Sequence, residues 1–274
     1  EQAVVGLDEL TLRHDSRVAG DAVVVNSAAK PKKANLVIGH HARVDGLVQA
    51  HSVRLRKHAA VYGSVIYNHL DDKGTIVGDK QTPLTVPVAL TLPQLPAFGL
   101  AGPGIVVKPK STKALGPGHY GAVLVLGGSN GKPTTLLLSG GVYGFESLTV
   151  MSHARVLCQT RCELQIQERL SIKAHALLGH EDDKRAADVV VFVAAHSKHK
   201  PVATIGHHAR VGVRLFAPSG AVIVRHHAEV DGTLIGRSLT LGPHAVVRKA
   251  ESGLIHQRLK AVADGPTAPL AGQL

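Results

Sequence analysis

The sequence predicts an all-β fold, a single-stranded parallel β-helix (β-solenoid) with looped-out insertions. Two observations carry the prediction. The first is the apolar alphabet. Apolar residues make up 44% of the 274, yet only 3% are aromatic and none is Trp. Irregular cores use large rings to fill uneven space. A narrow core of repeated layers suits small and β-branched side chains. The second observation is an internal repeat. A seven-residue unit, apolar–x–x–His–Ala–x–apolar, occurs at 38–44, 55–61, 150–156, 172–178, 205–211, 224–230 and 241–247. A degenerate copy at 12–18 carries Asp15-Ser16 in place of His-Ala.

Neighbouring copies lie 17 residues apart from His41 to His58, 19 from His208 to His227 and 17 from His227 to His244. That spacing fits one turn of a compact helix of strands with three short faces. Equivalent residues of successive turns then stack about 4.8 Å apart. Ala42, Val44, Ala59, Val61, Ala209, Val211, Ala228, Val230, Ala245 and Val247 are the expected inward columns. No rung can bury its apolar side alone, so stability must come from its neighbours. Gly46, Gly63 and Gly232, each just past a unit, are expected to make corners that other residues would strain.

In chain order, residues 1–68 read as N-terminal rungs, with a polar insertion at 26–33. Residues 69–114 read as a Pro-rich excursion, because the prolines between 82 and 103 suit an extended edge segment. Residues 115–250 read as the main solenoid. Its insertions include the acidic-basic run at 181–185 and the polar run at 196–201. Between them, 188–194 (Asp-Val-Val-Val-Phe-Val-Ala) reads as a strand buried on both sides. Residues 251–274 read as a tail or cap, with a short helix expected at 254–263.

The chain has two cysteines, Cys158 and Cys162, in Cys-Gln-Thr-Arg-Cys. They read as a local disulfide stapling a turn, with free thiols or half a metal site as the alternatives. The only Met is internal, at 151, and the sequence as given starts at Glu1. It therefore reads as a mature product after leader removal, with an extracellular or cell-surface location expected. No apolar run reaches the roughly 18 residues of a membrane span.

Phrases such as Ile38-Gly-His-His-Ala-Arg-Val-Asp-Gly46 and Val224-Arg-His-His-Ala-Glu-Val-Asp-Gly232 resemble bactofilins, bacterial polymer-forming proteins with a right-handed β-helix core. The middle segment, with a Gly-x-Tyr corner before each new strand, resembles bacterial surface β-helix proteins. The resemblance implies end-to-end assembly without nucleotide. The chain departs from bactofilins in its length, its insertions and its expected export.

The formal net charge of +11 favours anionic partners. With four Tyr and four Phe, few aromatic platforms exist for nucleic-acid bases, so no specific nucleic-acid partner is expected. Eighteen histidines include His41, His58, His208, His227 and His244 at equivalent repeat positions. These read as a stacked surface ladder, with a dedicated metal site as the weaker alternative. The 127–133 segment ends in Gly-Lys-Pro without a following helix, so it reads as a hairpin-type turn and not a phosphate loop. No carboxylate pair stands out as catalytic, no cofactor is expected, and the chain is not expected to be an enzyme. The leading expectation is a structural protein that stacks on itself into an extracellular filament or surface layer. The alternative is a monomeric surface module that binds acidic polysaccharide on a basic face.

Overall fold

The computed structural model describes residues 2–26, 34–99, 102–129, 131–197 and 200–249. Among the described residues, 23 strands all pair in parallel, and the one antiparallel contact is an isolated bridge between Ser129 and Lys132. Among the described residues the only helical segment is the 3-10 turn Asp183–Asp188. The chain is a parallel β-solenoid.

Three inward columns hold it together. Along one face, Val107, Val125, Val150, Ile172, Ile205, Val224, Leu241, Leu12, Ile38 and Leu55 follow one another in register. The column ends at Asp72, opposite Leu55. A second column runs Leu136, Val156, Leu178, Val211, Val230, Val247, Val18, Val44, Val61 and Ile76. The third runs Tyr143, Leu164, Val191, Leu215, Leu234, Val4, Ala22, Val48 and Val65 and ends at Lys80. The repeat alanines Ala42, Ala59, Ala209, Ala228 and Ala245, and the valines that follow them, are all buried. In the degenerate copy Ser16 takes the alanine's place, and its hydroxyl donates to the Arg13 carbonyl at 2.7 Å.

The stacking order is not the chain order. Strand Val4–Leu12 packs on Glu229–Leu241, so the N-terminal rungs follow the C-terminal ones. One end of the stack is the rung beginning at Ile105, and the other is the rung ending at Gln81. The segment between them must therefore travel the length of the molecule. Ten rung spacings make roughly 48 Å, and about 23 extended residues reach up to roughly 76 Å. The side of the solenoid pins this segment at successive heights. Asn68 Oδ1 accepts the Leu84 N–H (2.9 Å) and its Nδ2 donates to the Leu84 carbonyl (2.8 Å). Val88 N–H donates to Val25 (2.8 Å), Gln167 Nε2 to Gly99, and Gly121 N–H to Pro103 (3.0 Å).

Two expectations change. Among the described residues the excursion without strands spans 82–99 and 102–104, not 69–114, because strands Thr75–Ile76 and Lys80–Gln81 complete a rung and Ile105–Val107 opens the next in chain order. Gly46 and Gly63 do not have positive φ. They are glycines because successive rungs touch there: a Cβ on Gly63 would lie 2.3 Å from the Gly46 carbonyl oxygen. Gly232, at φ +154°, does occupy a glycine-only conformation. The expected tail, with its helix at 254–263, lies outside the described residues, as does most of the 26–33 insertion.

Candidate functional site

The corner that carries the repeat has the chain's unusual backbone. Asp15, His41, His58, Lys110, His153, His175, His208, His227 and His244 all have φ between +53° and +62°. This left-handed conformation is uncommon outside glycine, and Asp, Asn and His tolerate it best. The backbone therefore selects the histidine, and stacking of rungs then aligns the rings. His153–His175, His175–His208, His208–His227 and His227–His244 lie 4.7–5.0 Å apart between ring centroids, within 7° of parallel. His41 and His58 stack at 4.8 Å. Asp15 occupies the rung between His244 and His41 and divides the ladder into five rings and two.

The five histidines named from the sequence thus fall into two groups. His153 and His175, present in the repeat but not assigned to the ladder, extend the larger one. Parallel imidazoles hold their nitrogen lone pairs in parallel planes, so two stacked rings cannot aim both at one ion. The ladder itself is not a chelating arrangement.

Beside the larger group lies a groove. A cavity of about 400 Å³ is lined by His153, His175 and His208, by Arg155 and Arg210, and by Ser129 and Pro133 of the hairpin-type turn. It adjoins a second, of about 270 Å³, reached by Arg210, His180 and Ala186 of the 3-10 turn. The insertions therefore wall a groove whose floor is the outward face of the rungs. Arg155 and Arg210 have no carboxylate partner among the described residues. On the same face Arg17 is engaged by Asp45 at 2.8 Å, and Arg43 also contacts Asp45. The groove carboxylates Glu229 and Asp231 are each held by Arg248 at 3.3 Å. His180 is 4% exposed, its Nδ1 accepts the Asp182 N–H at 2.9 Å, and its Nε2 meets no acceptor among the described residues.

Electrostatics on the ladder side is set by crowding. His226 and His227 are held below the ordinary histidine value, first by partial desolvation against neighbouring rungs. Neighbouring charges add to this: His207, His208, His244 and Arg225 for His226, and His244, His208 and His226 for His227. Near the groove Cys158 and Cys162 form a disulfide, both buried, with Cα atoms 6.1 Å apart. It ties strand Ala154–Cys158 to Cys162–Ile172 across a three-residue turn.

No protein-family model and no curated protein matches the chain. Among solved structures, an ice-binding protein from the Antarctic ascomycete Antarctomyces psychrotrophicus is similar at 11% identity and a TM-score of 0.35, covering 92% of this chain and 95% of that one. A likeness at that TM-score carries no argument about this chain. No helix among the described residues is long and apolar enough to cross a membrane.

Proposed function

We propose that the chain is an extracellular binding module that holds an acidic polysaccharide along its solenoid axis without cleaving it. The observation that carries this reading is the pair Arg155 and Arg210, exposed and without carboxylate partners on the floor of the groove. A guanidinium presents a rigid fork of donors that matches carboxylate and sulfate groups. His153, His175 and His208 add donors or cations along one wall, one on each successive rung. A long polyanion lying parallel to the axis therefore meets a repeated partner. The His180 Nε2–H gains an acceptor if a ligand oxygen reaches the second cavity. The net charge of +11 adds long-range attraction.

The test is binding of a uronic-acid polymer, measured calorimetrically at low and high salt, with neutral dextran as control. Each of Arg155→Ala and Arg210→Ala is expected to weaken binding roughly tenfold or more. Both side chains are exposed, so folding is expected to be unaffected. Equal binding by the double variant, or equal binding of dextran, overturns the reading.

Self-assembly is a second reading, supported by the charges of the two ends. The rung at 105–115 carries Lys108, Lys110 and Lys113 and no acid, whereas the rung at 69–81 carries Asp71, Asp72 and Asp79 against Lys73 and Lys80. Opposite signs favour head-to-tail contact, which repeats without closing and makes fibres. Two-residue strands and charged side chains are also how proteins keep sheet edges from pairing. Thr75–Ile76 and Lys80–Gln81 have both features, which places binding first. Filaments seen by electron microscopy at low salt would reverse that order.

A further inference from the structure

The break in the histidine ladder is itself a constellation. At the rung where the corner residue is Asp15, the preceding residue is His14, and the stacked neighbour is His244. His14 Nδ1 lies 2.9 Å from Asp15 Oδ2, and His244 Nε2 lies 3.9 Å from the same oxygen. One ligand atom from each of the three residues falls within 4.8 Å of the others. Four-coordinate zinc, with bonds of about 2.0–2.1 Å, separates neighbouring donors by roughly 3.3 Å, inside this range. The Asp15 carboxylate distinguishes the place from the rest of the ladder. His14 and His244 are edge to face at 88°, as His226 is to His208 and His227, but only here does a carboxylate lie beside the two rings, whereas successive rings of the column are within 13° of parallel. Perpendicular rings can turn in-plane lone pairs toward one point.

We infer that His14, Asp15 and His244 form a binding site for a divalent transition-metal ion of the zinc class, with solvent completing the coordination. Two imidazoles and one carboxylate suit such ions and suit calcium or magnesium poorly. The exposed position makes the site reachable without opening the fold.

The location gives the ion a consequence. His14 and Asp15 belong to the first rung of the chain and His244 to the last described one, and these two rungs meet at the seam between the N- and C-terminal rungs. The seam is also held by buried apolar columns, by the Arg237–Asp8 ion pair (2.8 Å) and by backbone bonds such as Arg13 N–H to Leu241 (2.9 Å), Arg17 N–H to Ala245 (2.8 Å) and His244 N–H to His14 (3.2 Å). A metal bound there clamps rungs that are more than two hundred residues apart in sequence, and it stabilises the folded state by mass action.

The experiment titrates zinc chloride into the metal-stripped full chain by calorimetry near neutral pH and follows thermal unfolding with and without the ion. One tightest ion per chain and a raised melting temperature are expected. Asp15→Asn is expected to weaken the first ion about tenfold or more and to abolish the thermal shift, while His58→Asn leaves both unchanged. Zinc is also expected to shield His14 and His244 of the wild-type chain from acylation by diethylpyrocarbonate, a readout that needs no variant to fold. Several ions of equal affinity, a shift retained in Asp15→Asn, or shielding at other histidines instead overturns the assignment.

Discussion

At the scale of single residues, the histidine column shows how a backbone requirement becomes a chemical surface. A corner with φ near +55° excludes β-branched side chains and favours Asp, Asn, His and Gly. Repetition at about 4.8 Å then turns eight tolerated residues into stacked rings and one carboxylate. The His-Ala pairs were legible in the sequence, and so was the ladder. The reason for the histidines was not, because no single residue type announces positive φ once glycine is set aside. The ladder also creates a pH dependence. His226 and His227 titrate below the unfolded value of about 6.5. The unfolded chain therefore takes up protons first as pH falls, and their contribution to stability is complete above that value and lost below it. Urea unfolding of the metal-free chain at about pH 7.5 and about pH 5 brackets this window while staying above the carboxylate range. The wild type is expected to be less stable at the lower pH, and a His226→Asn, His227→Asn variant to lose less. A pH-independent midpoint in the wild type contradicts this account.

At the scale of strands and corners, the inward alanines and valines were the most legible feature, because period and burial coincide in every rung. Glycine was misread where it matters through contact. Gly20, Gly46, Gly63 and Gly78 crowd one another in successive rungs, and the obstacle to a side chain at Gly46, Gly63 and Gly78 is neighbouring backbone. Backbone cannot swing aside as a flexible side chain can, so Gly63→Ala must push adjacent rungs away from each other. A loss of about 1–3 kcal/mol is expected, in the range of overpacking. Gly116, exposed before strand Gly118–Val125, has nothing within 4 Å of its missing Cβ and no positive φ. Gly116→Ala is therefore expected to be neutral or slightly stabilising by restricting the unfolded chain. Denaturant midpoints of the two variants decide the matter, and equal effects would show that crowding is not what selects glycine at 63.

At the scale of the whole molecule, the order of stacking is the feature a linear reading could not supply. Periodicity says that rungs stack but not which rung follows which, since Leu12 is as good a neighbour for Leu241 as for Ile38, and in fact touches both. The prolines between 82 and 103 mark an extended segment, but only the two ends of the stack show that it is a return path. This arrangement makes the N-terminal rungs a cover for the apolar end of the C-terminal ones. Leu234, Leu239, Leu241 and Val247 would otherwise face solvent on one side. The covalent link contributes little beyond closure entropy, which grows slowly with length, whereas the seam buries whole columns. A protease site inserted at the exposed Pro93–Gln94 step tests this directly. After cleavage of the folded protein the two fragments are expected to co-elute in size exclusion and to separate only in denaturant. Elution of a free N-terminal fragment under native conditions would mean that the rungs before residue 82 form a body of their own, and with it the metal clamp at His14, Asp15 and His244 would lose its geometric basis.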